Sequence, residues 1–539
     1  MLTRQQLYEL YYQGPAPTLN YIEALLAQLA DFERIYGQQQ QRIIEAQRQY
    51  NEKLAQQLKR AKEKLWRQES LNYQLKRRIA ELEAAAVTKD SHNSSLPPST
   101  DGPAAKAANS IRRTRSLRRP SGRRPGAQPG HPGRTRALSE QPDRVVTHAP
   151  RECRGCGASL ASGYIVKYER RQVIDLPPVK PLVVEHRALT KRCATCDALT
   201  KGRFPREVKA AVQYGTGVQA RAVYLVNYQL LPYRRAGELL RDFFSCPISP
   251  GSLRRIITAC STRALLPEVE IKNRLKRSEV IHADETGLRV AGEGRFVHVA
   301  STAGLTHYSC DRRRGKSAMD EVGILPAFKG VSVHDGWPAY HYYYQCRHAL
   351  CGAHLLRELI YIEESSPHQR GQWAAPMAKL LIEIKEAVEQ ARSRGDTELS
   401  QERQAEFQRR YDRIVKRGSE LNPERQRRRE VKGAERRKAE RGRIGQSEAR
   451  KLVARLERYR TEVLRFMTDF RVPFDNNQAE RDLRMVKLQQ KTSGCFRTGQ
   501  GAMEFCRLRS VISTARKQGQ AVLESIEKVF QRQPLTLTS

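Results

Sequence analysis

No run in this chain approaches the roughly 20 consecutive apolar residues that a membrane-spanning helix needs, so the sequence reads as a protein with no membrane partner. Its first residues lack the charged-then-apolar pattern of a signal peptide, and a cytosolic location is expected. Cysteine is sparse: 11 in 539 residues, too few and too scattered for a disulfide framework. In a reducing compartment, paired cysteines point to metal instead. Acid is in deficit, with 58 Asp and Glu against 97 Lys and Arg and a formal net charge of +39. So basic a chain calls for a polyanion, because each Lys or Arg set against a phosphate releases condensed counterions. An anionic membrane surface is the alternative from charge alone. Nucleic acid fits better, and with it a nucleoid-associated location. The length allows three or four domains.

Residues 1–89 are helical in composition. Leu54, Leu58, Ala61, Leu65, Leu75, Ile79 and Leu82 step by alternating fours and threes, the seam of a left-handed coiled coil. Asn72 falls at an a position of that seam, where a buried Asn fixes register and a two-stranded state. A long solvated helix without a partner is the plainer alternative. Residues 90–143 change character. Asn93-Ser94-Ser95-Leu96-Pro97-Pro98-Ser99 cannot continue a helix. No acid occurs from Pro103 to Ser139, while Arg112, Arg113, Arg123 and Arg124 sit among Gly and Pro. The segment is predicted to be a disordered Arg-rich linker that lies on DNA backbone or in a narrow minor groove, or a merely solvated basic tether.

Residues 144–207 hold Cys153-x-x-Cys156 and Cys193-x-x-Cys196. Each pair can form a tight knuckle, and two knuckles supply the four thiolates of a structural Zn²⁺ site. Redox pairs are the competing reading. The stretch Tyr164–Arg187 alternates like short strands, which suggests a zinc ribbon. Residues 208–277 read as helices. One ends at Phe244, a turn covers Ser245–Ser249, and the next opens with a Ser cap and Pro250. That spacing fits a helix-turn-helix presenting Ser252, Arg254 and Arg255 to DNA, and fits an ordinary helical hairpin equally well.

At residue 278 the pattern turns to strands: Val280–Ala283 leading into Asp284, then Phe296–Val299, then Thr306–Cys310. A helix follows near Lys316–Ile324, and Gly330–His334 is a buried strand ending on Asp335. Three strands, a helix and a strand is the opening order of a ribonuclease H-like sheet, in which the first and fourth strands are neighbours. Asp284 and Asp335 would then converge. A third acid is needed if two divalent ions are to sit about 4 Å apart across a phosphate. Glu480 is the candidate, on the first turns of a helix capped by Asp475 or Asn476. The plain reading of Glu480 is an i,i+4 ion pair with Arg484; that of Asp284 is a strand-end cap. Residues 278–345 and 471–539 are thus expected to form the two parts of a catalytic core. Residues 346–470 form a helical insertion whose basic stretch, Arg425–Arg443, faces DNA. Cys351 and His354 can share one side of a helix turn and are candidates for zinc, although two ligands alone do not make a site.

These elements, in this order, resemble the large transposase subunit of the insertion sequence 66 family. The matching residues are the N-terminal seam, Asn93–Ser99, Gln128-Pro129-Gly130-His131, the paired Cys-x-x-Cys, Asp284-Glu285-Thr286, His334-Asp335-Gly336-Trp337-x-x-Tyr340, Cys351-x-x-His354-x-x-Arg357, and Asn476-Asn477-x-Ala479-Glu480-Arg481-x-x-Arg484. Leu96 stands where such proteins often have Lys. The resemblance implies a multidomain α+β protein with a ribonuclease H-like core interrupted by a helical insertion. It implies Asp284, Asp335 and Glu480 as catalytic residues holding two Mg²⁺ or Mn²⁺ ions, with structural or accessory parts for Cys351, His354 and Arg357. The expected activity is cleavage of DNA at the element's terminal inverted repeats and transfer of the freed 3′-hydroxyl into target DNA. Arg481, Arg484 and Lys487 are further DNA-contact candidates. A homodimer or larger synaptic complex is expected, with small accessory proteins of the same element as further partners. A silent DNA-binding regulator and a structure-selective nuclease remain alternative readings.

Overall fold

Hydrophobic patterning sets up a sheet covered by helices. The computed structural model describes residues 2–85, 89–90, 92–94, 101–103, 105–106, 126, 130–132, 136–424 and 445–537. Arg112, Arg113, Arg123 and Arg124, most of the Asn93–Ser99 motif, Gln128-Pro129 and the Arg425–Arg443 stretch lie outside the described residues. The chain divides into two units, one of residues 1–88 with 364–368, the other holding everything else. The first contains a short helix, α1 (Arg4–Tyr12), and a 71-residue helix, α2 (Pro15–Ala85). No described helix is long and apolar enough to cross a membrane.

In the second unit, two short strands, β1 (Thr190–Arg192) and β2 (Leu199–Lys201), flank the second cysteine pair. The strands expected within Tyr164–Arg187 do not form. Alternation needs a partner strand, and Pro177, Pro178 and Pro181 remove donors from any ladder. Val173, at 95 % exposure, packs on nothing. Four helices follow: α3 (Thr216–Val223, continued by a π-turn to Tyr228), α4 (Tyr233–Phe244), α5 (Pro250–Arg263) and α6 (Leu265–Arg277). The α4–α5 corner turns at Ser245, in the left-handed region, and Ser249 caps α5 through the Ser252 amide. Gly237 lets the turn close on α4, since a Cβ there would lie 2.9 Å from the Ile248 carbonyl.

The central sheet has the order β5-β4-β3-β6-β7. β3 (Val280–Val290), β4 (Glu293–Ser301) and β5 (Thr306–Asp311) are antiparallel neighbours. Ala291-Gly292, both at positive φ, make the two-residue turn between β3 and β4. Helix α7 (Lys316–Val322) then carries the chain to β6 (Val331–His334), which lies parallel to β3, with β7 (Arg347–Leu350) parallel beyond it. All four residues of β6 are buried, as a parallel strand covered on both faces requires. Val331 and Val333 pack into a core with α8 (Gly352–Ser365), α9 (Ala374–Ser393), α10 (Gln401–Leu421), α11 (Glu448–Arg458) and α12 (Arg460–Thr468). Ile281 and Ala283 pack instead with α4, α5 and α6, joined by α14 (Gly499–Lys517) and α15 (Val522–Gln531). A third core joins β3, β4 and β5 to α13 (Asn477–Ser493) and α14.

Candidate active site

The ladder between β3 and β6 matches Val280 with Val331, Ile281 with Ser332 and His282 with Val333. Each pair is offset by 51 positions, the offset between Asp284 and Asp335. Two steps past the last ladder pair, both parallel strands therefore deliver an acid to the same end of the sheet. The His334-Asp335-Gly336 turn is sharp: Gly336 has φ +88°, which an L residue rarely adopts. Asp335 accepts the Trp337 amide at 2.8 Å, which anchors its carboxylate against the turn.

The third acid arrives through long-range contacts centred on Asn476, a fully buried side chain. Its Nδ2 donates to the Ala283 carbonyl at 2.8 Å and its Oδ1 lies 2.8 Å from His282 Nδ1. Since Oδ1 can only accept, that ring nitrogen carries the proton. The Asn476 amide in turn donates to Cys351 Sγ at 3.1 Å. The N-terminus of α13 is thereby fastened to β3 and to the start of α8. Asp475, rather than Asn476, accepts from the Asn477 amide. Gly352 makes the junction tight: its amide donates to the Phe474 carbonyl, and a Cβ there would lie 2.3 Å from the Phe474 ring.

On this frame Glu480 faces His354, 3.7 Å away, and Arg357, 3.9 Å away. Arg357, not Arg484, is the cation set against it, with the His354 ring beside it. Cys351, His354 and Arg357 thus line one side of α8 as a bed for α13. Burial pushes the Cys351 thiol up to about 12, and its sulfur accepts the Asn476 amide proton. Burial and the neighbouring Arg357 keep His354 below its ordinary value. One Glu480 oxygen and His354 Nδ1 are buried without a hydrogen-bond partner.

Asp284 shows the electrostatic consequence. Burial, then the charges of Glu285 and Asp335, and more weakly Glu480, hold its carboxyl well above the usual range, against one hydrogen bond from the Glu285 amide. Glu285 faces an answer to its charge: Tyr340 Oη donates to it at 2.6 Å, and Arg314 at 2.7 and 2.9 Å. Arg314 also lies over the Trp337 ring, 4.4 Å from its centre. No choice of one oxygen from each of Asp284, Asp335 and Glu480 brings all three within 4.8 Å of one another. One ion with ligands near 2.1 Å would demand such a choice. Two ions about 4 Å apart allow a wider spread. The donor set fits divalent cations on chemical grounds: hard oxygens, an unpartnered buried carboxylate oxygen at Glu480, and a concentration of negative charge at Asp284. The sequence singled out all three acids. It did not reveal Asn476, Arg314 or the ion partners of Glu480, which depend on contacts across 29 to 194 positions. Their signal lay in motif residues: Asn476, four positions before Glu480 and read only as a helix cap, and Tyr340 after Asp335, which carried no assigned role.

The cysteine pairs form two matching knuckles. In each, the first cysteine's amide and carbonyl close the turn, by Cys153 to Ala158 and Gly157, and by Cys193 to Ala198 and Asp197. Gly157 and Asp197 occupy the same left-handed position. Amides of Gly155 and Cys156 lower the Cys153 thiol, and those of Cys196 and Thr195 bring Cys193 down to about 7. Exposed thiols already biased toward thiolate fit Zn²⁺. The four sulfurs are not drawn into one group within 4.8 Å; each knuckle is closed on itself.

The DNA-contact candidates divide. Arg254 turns inward to Thr258 and to the buried Glu504, while Arg255 is exposed. Arg481 and Arg484 are exposed, and Lys487 donates to the Gly287 carbonyl.

Fold and site together define an α/β protein with a cluster of acids where parallel strands end, joined to cysteine knuckles suited to zinc. Comparison with family models sharpens this. The model described as transposase IS66 family matches residues 211–504, more than half of the chain, and the chain belongs to that family. The zinc-finger binding domain of transposase IS66 matches residues 150–197, and a family of unknown function matches residues 38–137. No curated protein matches the chain. Membership implies DNA transposition, with DNA as partner and structural zinc in the finger.

Proposed function

We propose that this transposase cuts DNA at the ends of its element and joins the freed 3′-hydroxyl to target DNA, with Asp284, Asp335 and Glu480 as the catalytic acids. The observation that carries the reading is the shared register of β3 and β6, which aims Asp284 and Asp335 at one point beside the start of α13. The sheet order, with three antiparallel strands and two parallel ones, supports a ribonuclease H-like core in residues 278–350 and 471–539, since β7 extends the sheet past the boundary at 345 expected from sequence. The insertion then begins after β7 and runs to 470, with 208–277 a helix-turn-helix-like DNA-binding region, 144–207 the zinc finger, 90–143 a basic linker and 1–89 a coiled-coil dimerisation region.

Asp284 and Asp335 would hold both divalent ions, Mg²⁺ or Mn²⁺, and Glu480 would complete one of them by moving its carboxylate closer to theirs than it lies in the metal-free chain. Ions so placed activate a water or a 3′-hydroxyl for in-line attack at phosphorus and stabilise the leaving oxygen. Asn476 keeps Glu480 in reach. His354 and Arg357 face its carboxylate in the metal-free chain and, with a cation bound to Glu480, would be left to meet a phosphate. Arg314 and Tyr340 neutralise Glu285, so that this fourth carboxylate does not compete for the cations. Arg255, Arg481 and Arg484 are exposed and within reach of DNA backbone; Arg254 is a structural residue of α5.

The test is single substitution of Asp284, Asp335 or Glu480 by Ala, assayed with DNA carrying the element's inverted repeats. Each is expected to abolish Mg²⁺-dependent nicking while leaving end binding largely intact. Normal cutting by D335A would falsify the assignment. A protein that binds ends but never nicks, even as wild type, would mark it as a silent regulator.

A further inference from the structure

Three histidines, His334, His341 and His348, lie behind Asp335 and have no part so far in the site or the zinc finger. His334 closes β6, His348 lies in β7, and His341 sits on the loop between them. Ring nitrogens of all three come within 4.8 Å of one another. His334 is fully buried and His348 nearly so. The arrangement invites a metal, but the hydrogen bonds argue otherwise. The Gly336 amide donates to His334 Nδ1 at 3.0 Å. An amide can only donate, so Nδ1 carries no proton and the proton of the neutral ring is on Nε2. That nitrogen lies 3.1 Å from His348 Nδ1, which must therefore accept. The remaining proton of His348 is on Nε2, 3.2 Å from the Tyr343 carbonyl. Every role in the chain is fixed from its first member: Gly336 amide to His334, His334 to His348, His348 to a carbonyl. A metal on His334 Nε2 would move the proton to Nδ1 and set it against the Gly336 amide, donor against donor.

We infer that this relay of His334 and His348 is a positioning device for Asp335, holding the Asp335-Gly336 turn in its left-handed conformation so that the carboxylate meets its cations in a fixed place. The inference rests on the reading of Asp335 as a metal-binding acid. Three further contacts stiffen the relay. Tyr340 stacks on His334 with ring centres 4.5 Å apart and nearly parallel planes, while its hydroxyl holds Glu285. His341 stacks on Tyr459 at 4.0 Å and meets His334 edge-on. Arg465, on α12, donates to the His348 carbonyl at 2.7 Å. The end of the helical insertion is thus tied through β7 to the turn that carries Asp335.

Two substitutions of similar size separate this from a simple packing role. His348→Asn keeps an acceptor near the position of Nδ1; His348→Gln withdraws it and leaves the His334 proton without a partner. Nicking of end DNA is measured against Mg²⁺ concentration in the full-length protein, with zinc content measured alongside. The Gln variant is expected to need about tenfold more Mg²⁺ for half-maximal rate, the scale typical of lost outer-shell support, and the Asn variant to titrate like wild type. Equal Mg²⁺ dependence in both variants, whether normal or impaired, overturns the relay. So does loss of a bound zinc from both variants, which would make the trio a metal site. D335A keeps the two readings apart: if it is inactive while the Gln variant titrates normally, only the relay fails.

Discussion

Asp284 carries a charge that its surroundings oppose. One amide donates to it, while three other carboxylates and burial raise its affinity for a proton. Its folded pKa lies above the ordinary 3.8, so over the interval above that value the folded chain keeps a proton that the unfolded chain has released. The stability this group contributes is complete below the ordinary value and is lost as pH rises through the raised one. Without cations, ionising Asp284 is therefore a cost to the fold; Glu285 is raised too, by burial and by Asp335, with Tyr340 and Arg314 working against the rise. Asp284→Asn is expected to raise the melting temperature of the protein in chelator, by about 2–4 °C for each kcal/mol relieved. Mg²⁺ should raise the melting temperature of wild type more than that of the variant, because ligand linkage acts only where the ligand binds. Thermal unfolding with and without Mg²⁺ decides it; a variant less stable than wild type under both conditions contradicts the role.

Helix α5 shows what an element's sequence can and cannot disclose. Its Ser cap and Pro250 are legible in the sequence, and Leu253, Ile256 and Ile257 form the face it buries; β3 to β6 are legible from their β-branched runs and terminal acids. Periodicity cannot say what an arginine on the rim of the apolar face will meet. Arg254 and Arg255 are neighbours in sequence and look alike there, yet one reaches Glu504, 250 positions away, and the other reaches solvent. Asn476 was legible as a cap and acts as a clamp, again because its partners come from β3 and from Cys351. The exposed Tyr164–Arg187 stretch failed in the opposite sense: its alternation was local, and a strand is not. The arginines supply a test. Arg254→Ala leaves Glu504, only 2 % exposed, without its cation, at a cost of roughly 3 kcal/mol, the low end for broken buried pairs. Arg255→Ala should change stability by less than about 0.5 kcal/mol. It should nevertheless weaken DNA binding and lower the salt slope by about 1. Denaturant unfolding and binding at graded salt concentrations read the two effects separately.

At the scale of the whole molecule, a net charge of +39 explains attraction to DNA but not how two element ends are brought together. The 71-residue helix α2 bears on that. At about 1.5 Å per residue it would run on the order of 100 Å. Leu54, Leu58, Leu65, Leu75, Ile79 and Leu82 along its seam are each more than half exposed in the single chain. Isolated apolar residues on a surface need no explanation, but a seam at steps of three and four does. Pairing two such helices would bury it, and Asn72 at an a position would favour two strands over three. Exchanging Leu58 and Leu75 together for Asp places charges inside that seam. The doubly substituted protein is expected to sediment as a monomer where wild type sediments as a dimer. It should bind one end normally, since α5 and the zinc finger are untouched, and lose the complex that holds two ends. Asn72→Leu should act differently, raising the melting temperature of the coil while admitting higher oligomers. A wild-type protein that is monomeric at micromolar concentration yet still pairs two ends would move synapsis from α2 to the DNA-binding regions.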